Sequence, residues 1–90
     1  MRRSLKIRIF GEVQGVSFRY YAVLAARGLS LSGFVRNDPD GSVYIEAEGK
    51  SEDLEEFVNW CKKGPGFARV SRVEVRPGPR KNFSDFSVGR

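Results

Sequence analysis

Hydrophobic spacing along this chain switches between period two and helical period and back, and the order of the switches leaves few folds open. In "LKIRIF" (residues 5–10), Leu5, Ile7 and Ile9 alternate with Lys6, Arg8 and Phe10, the pattern of a half-buried strand. From Phe18 the apolar positions take helical spacing, Phe18, Ala22, Ala25 and Leu29, with Gly28 as a stop signal. "LSGFVRN" returns to period two, "NDPDG" supplies turn chemistry, and "SVYIEAE" reads as a strand with Val43, Ile45 and Ala47 facing the core. Residues 31–48 are thus expected to form a hairpin. Ser51 is placed to cap a second helix with a buried stripe of Leu54, Phe57, Val58 and Cys61. Its first turn is acidic (Glu52, Asp53, Glu55, Glu56) and its last carries Lys62 and Lys63, both in keeping with the helix dipole. "GPG" at 64–66 ends it. "VSRVEVR" reads as a fourth strand, and "FSDFSV", after a Pro-rich turn, as a short fifth.

The order is β-α-β-β-α-β, a split pair of βαβ units. Right-handed crossovers put both helices on one face of an antiparallel sheet. The expected fold class is α+β, a ferredoxin-like βαββαβ sandwich with a short C-terminal fifth strand. Ninety residues make one domain, 1–90, and 40% hydrophobic content with seven Phe is adequate for one modest core. In such a unit the first and second strands run parallel, so the loop at 11–18 and the strand end at Asn37 share one sheet edge. With the third strand between them they are about 10 Å apart, twice the ~4.8 Å strand spacing.

That loop, "GEVQGVSFR", carries two glycines and reaches an arginine where the helix begins. Backbone N–H groups of Gln14, Gly15, Val16, Ser17, Phe18 and Arg19 can form an anion-binding nest at the helix N-terminus. Gly15 is the residue expected to need a conformation closed to other side chains. Arg19 adds a planar fork for two phosphate oxygens. A tight turn with a solvated arginine explains the same stretch equally well. Val13, Val16 and Phe18 are expected to pack beneath the loop, and Asp38, Asp40 and Gly41 to shape the hairpin turn beside Asn37.

Composition narrows the chemistry. The formal charge of +5 favours anionic partners. There is no histidine, which removes the usual general base, and the single cysteine removes thiolate metal clusters and an internal disulfide. A reducing cytoplasm is the expected setting. The basic, strand-like start is unlike a secretory signal. No apolar run approaches the roughly 20 residues of a membrane span.

"GEVQGVSFR" followed by "GFVRNDPDGSV" resembles the paired motifs of acylphosphatases, which hydrolyse carboxyl–phosphate anhydrides. "GPGFARVSRVEV" and the closing "FSDFSV" extend the resemblance over roughly Leu5 to Val88. It implies the fold already deduced, no metal and no cofactor. It also implies that Arg19 binds the substrate phosphate and Asn37 positions the attacking water. The expected partner is a small acyl phosphate with inorganic phosphate as product, acted on by a monomer without nucleic acid or membrane.

Rival readings attach to other residues. An RNA-recognition domain shares the βαββαβ order, and the open sheet face would carry Phe10, Phe34 and Tyr44 beside Lys6, Arg8 and Arg36. Against it, "SVYIEAE" replaces the long aromatic motif, and Glu46 and Glu48 oppose a phosphate backbone. A catalytically retired phosphate-binding module is a further alternative. "GKS" at 49–51 lacks the earlier glycine of a phosphate-binding P-loop, since Tyr44 stands there. Cys61 sits on the buried stripe and reads as core. Trp60, Tyr20 and Tyr21 read as packing residues, and Arg36, Arg80 and Lys81 as solvated charge.

Overall fold

The structure, a computed structural model, describes residues 1–89. Seven elements follow in order: β1 (Arg2–Glu12), α1 (Phe18–Gly28), β2 (Ser32–Asn37), β3 (Val43–Lys50), α2 (Ser51–Lys63), β4 (Arg69–Pro77) and β5 (Phe86–Val88). The strands lie in the order β4-β1-β3-β2-β5. Every neighbouring pair is antiparallel except β2 and β5, so the sheet is mixed at that edge rather than antiparallel throughout. Both expected helices are present, α1 packing on β2 and β5, α2 on β1, β3 and β4. None of the helices among the described residues is long and apolar enough to cross a membrane.

The core is the face that alternation pointed to. Leu5, Ile7, Ile9, Val35, Val43, Ile45 and Ala47 are buried beneath Phe18, Ala22 and Ala26 of α1 and Leu54, Phe57 and Cys61 of α2. Burying side chains of this size contributes roughly 1.5–3 kcal/mol each for the larger ones. On α1 the inner stripe runs through Ala26; Ala25 and Leu29 are only half-buried at its margin. α1 ends at Gly28 as expected, but glycine does not supply the left-handed closing residue. Ser30 takes the left-handed conformation (φ 57°), its N–H reaching Arg27 O at 3.0 Å while Leu31 N–H reaches Ala26 O at 2.9 Å. Those two bonds close the helix as a Schellman turn, with serine where glycine is usual.

Two further expectations fail. Ser51 does not cap α2: the residue before the helix is Lys50, and the Ser51 hydroxyl and N–H both donate to Met1 O, at 3.2 and 2.9 Å. The chain enters α2 straight from β3, so the serine is used to hold the N-terminus. Residues 83–85 do not join β5 but cross the open face of the sheet, where the Phe83 ring meets that of Phe34 at 5.7 Å. The latch is Glu48, whose buried carboxylate accepts from Ser4 Oγ (3.1 Å), Lys81 N–H and Phe83 N–H (3.1 Å). Burial alone would raise the Glu48 pKa, but these donors outweigh it and hold the group below the usual carboxylate range.

Candidate active site

The loop between β1 and α1 hangs from two buried side chains, Val13 and Phe18, with Val16 half-buried against the core between them. Its two glycines do different things. Gly11 (φ 131°) sits at a bulge where the β1–β4 register slips, and a Cβ there would lie 2.1 Å from Arg69 O. It is needed for a close backbone approach. Gly15 (φ 76°) faces open space and is needed for its left-handed conformation alone. Ser17 is also left-handed (φ 61°, ψ 23°), a conformation expected only of Gly15, and gives α1 no side-chain cap. A non-glycine residue there costs about 1–2 kcal/mol.

The two left-handed residues turn the chain over the start of α1. Among the described residues no hydrogen bond is donated by the backbone N–H groups of Gln14, Gly15, Val16, Ser17, Phe18 or Arg19. The first bond of the helix runs from Tyr21 N–H to Ser17 O at 3.2 Å. Arg19, in the first turn of α1, is exposed and takes part in no ion pair among the described residues.

Asn37 is the last residue of β2 and pairs with Val43, which pairs in turn with Ile9 of β1. The loop after β1 and the end of β2 therefore share a sheet edge, as the topology required. The two are also tied directly. The Gln14 side chain reaches across, Nε2 donating to Asp38 O and Ser42 O, each at 2.8 Å. This tether was not legible in the sequence, because the acceptors are carbonyls of a distant turn. The Asn37 Oδ1 is buried without a hydrogen-bond partner among the described residues. Leaving such an acceptor unmet costs about 1–3 kcal/mol.

The turn beyond Asn37 is fixed by charge. Asp38 accepts from Arg8 Nη1 and, at 2.9 Å, from Arg36 Nε. Hydrogen bonding from Arg8 and then Arg36 holds its carboxyl below the usual range despite partial burial. Arg8 Nη1 also donates to Ser42 Oγ at 3.1 Å, while Asp40 accepts from the N–H and hydroxyl of Ser42, at 2.9 and 2.5 Å. Asp38, Asp40 and Gly41 thus shape the turn as expected. Both arginines lie over the Tyr44 ring, 4.7 Å from its centroid. Arg36 is therefore held in a network rather than solvated, and Lys81 is paired with Glu46 at 3.0 Å. The same contacts occupy the aromatic face that an RNA-binding reading would use. Cys61 is buried, and burial pushes its thiol up, out of the range of a nucleophile.

Comparison with known proteins covers nearly the whole chain. The family model described as Acylphosphatase matches residues 5–88. An acylphosphatase of Nocardioides sp. is 44% identical over 88 residues, spanning 98% of this chain and 89% of that relative. One from Ligilactobacillus salivarius is 46% identical over 88 residues, spanning 96% and 97%. The crystal structure of acylphosphatase from Bacillus subtilis superposes with a TM-score of 0.95 at 35% identity, covering all of both chains.

Proposed function

This chain belongs to the acylphosphatase family, and we propose that it hydrolyses acyl phosphates to a carboxylate and inorganic phosphate, with the substrate phosphate at the 14–19 loop and Asn37 orienting the attacking water. The amides of the loop, with no partner within the described chain, offer donors to the phosphate oxygens, and the unpaired Arg19 supplies two more in a plane. The observation that carries the reading is the buried, unpartnered Asn37 Oδ1, beside the turn that Gln14 ties to the loop. An unsatisfied buried acceptor calls for an explanation, and a catalytic role supplies one.

The reaction suits these groups. The water oxygen bonds to phosphorus as the bond from phosphorus to the bridging oxygen breaks, and the electron pair leaves on the carboxylate. Its conjugate acid has a pKa of about 4, so it departs unprotonated and needs no general acid. The loose transition state asks for positioning and charge stabilisation, which fixed amides and a guanidinium supply. The carboxamide takes no proton at neutral pH; it aims the water, whose proton passes to a phosphate oxygen. A chain without histidine can run this chemistry, and a monomer in a reducing cytoplasm is the setting we assign to it.

The test is hydrolysis of benzoyl phosphate in the presence of a chelator. Turnover is expected, with Asn37→Ala lowering kcat about 10²-fold and keeping the native melting profile. Arg19→Lys keeps the charge but loses the fork, and is expected to lose most binding and turnover. Near-wild-type rates in either variant would mean that these residues are misassigned. Phosphate binding without turnover in the wild-type chain would make it a retired binding module.

A further inference from the structure

Beside the 14–19 loop, sharing Val16 with it, lies an apolar groove of about 620 Å³ that the hydrolytic reading does not use. Its walls are Val16 of the loop itself, Tyr21 and Leu24 of α1, Trp60 of α2, and Phe67 at the tip of the 64–68 turn. We propose that this groove is the subsite for the acyl group, and that the preferred substrates carry an aromatic or branched apolar acyl chain; the inference rests on the hydrolytic reading above.

In-line geometry carries the argument. In phosphoryl transfer the attacking water and the leaving oxygen lie on opposite sides of phosphorus. With Asn37 of β2 holding the water, in-line displacement sends the leaving carboxylate away from the β2 side. The groove lies between α1 and the end of α2 at this end of the sheet, where the 64–68 turn feeds β4, whose Arg69 pairs with Glu12 just before the loop; α2 covers β1, β3 and β4. Two other directions are obstructed. Val13 and Phe18 fill the sheet side, and the Gln14 tether closes the flank towards the 38–42 turn. The acyl carbon is one bridging oxygen from phosphorus, so the first atoms of the acyl group must pass Val16, which belongs to the loop and the groove alike.

The groove is also the size and kind of a small-molecule site, within the roughly 300–1,000 Å³ usual for one. Trp60 is a fixed wall, its ring stacked on Phe57 at 5.9 Å and edge-on to Phe18 at 5.4 Å. Phe67 is 89% exposed, and Leu24 and Tyr21 are also open to solvent. Large apolar side chains gathered at one concave place mark a binding surface. None of the described residues that line it is charged, which favours an uncharged acyl group over a dicarboxylic one.

The measurement is kcat/KM for benzoyl phosphate relative to acetyl phosphate in wild type, Phe67→Ala and Phe67→Leu, with intrinsic reactivity cancelling in the ratio of ratios. Phe67→Ala is expected to lower the benzoyl preference about tenfold, the scale of one lost apolar contact, and Phe67→Leu to recover most of it. Phe67 buries little, so folding is not at stake. In parallel, benzylphosphonate should alter the fluorescence of Trp60, the one tryptophan, where methylphosphonate does not. An unchanged preference in Phe67→Ala, or an equal fluorescence response to both phosphonates, overturns the groove while leaving hydrolysis standing. Hydrolysis of neither substrate by the wild-type chain overturns the underlying reading, and this inference with it.

Discussion

Removing the Gln14 amide tests whether the loop and the Asn37 strand end work as one unit. Nε2 makes two hydrogen bonds of 2.8 Å to carbonyls of the 38–42 turn. Each contributes about 0.5–1.5 kcal/mol net, so Gln14→Ala should cost about 2 kcal/mol. In a domain of this size that lowers Tm by roughly 8–16 °C. Stability alone would not separate a brace from an ordinary contact, so kinetics are needed. If the tether sets the distance from the loop to Asn37, its loss should also lower kcat about 10–100-fold, since a 1 Å misplacement costs on the order of 10². Gln14→Glu sharpens the test. It keeps the shape but turns a carboxylate towards two carbonyl oxygens, which raises the folded pKa of the new group above its unfolded value. Below the unfolded pKa the protonated carboxyl has one O–H for the two carbonyls, so the penalty is about one hydrogen bond, about 0.5–1.5 kcal/mol, and it grows as pH rises through the folded pKa. Urea denaturation and benzoyl phosphate kinetics between pH 4 and about 8, bracketing the carboxylate range, would follow both. If Gln14→Ala stays within about 0.5 kcal/mol of wild type, the range of an ordinary surface substitution, with an unchanged kcat, the coupling does not exist.

The two loop glycines should respond differently. Gly11→Ala drives a Cβ to 2.1 Å from a backbone carbonyl that cannot rotate away, and should cost about 3 kcal/mol or more. Gly15→Ala meets open space and should cost only its left-handed conformation, about 1–2 kcal/mol; equal losses in urea titrations would refute the bulge assignment. Glu48 has a depressed folded pKa, so its stabilisation is present above the ordinary carboxylate value and is lost as pH falls through the folded one. As pH falls through that depressed value the wild-type chain should release the 78–85 segment, seen as lost exchange protection of the Lys81 and Phe83 amides, and Glu48→Gln should show that loss already at pH 7. Amides equally protected in both proteins at pH 7 would mean that the latch lies elsewhere.

Local pattern determined much of this protein. Alternation in "LKIRIF" and "SVYIEAE", helical spacing from Phe18 and from Leu54, and the "NDPDG" and "GPG" turns specify element order, core face and the edge where the loop meets Asn37. Each rests on neighbours a few residues apart, which is the range over which backbone geometry imposes periodicity. The positions of Arg19 and Asn37, at an element start and an element end, were legible for the same reason, while the roles proposed for them come from the resemblance to acylphosphatases. Other features depended on groups 24 to 35 residues apart: Gln14 on the 38–42 carbonyls, Arg8 on Asp38, Glu48 on the amides of Lys81 and Phe83. Ser51 reads as a cap until the N-terminus arrives beside it. Hydrogen bonds and ion pairs of this kind are short-ranged and directional. Which donor finds which acceptor is decided only when strand order and register have brought the backbones together, and no spacing along the chain encodes that.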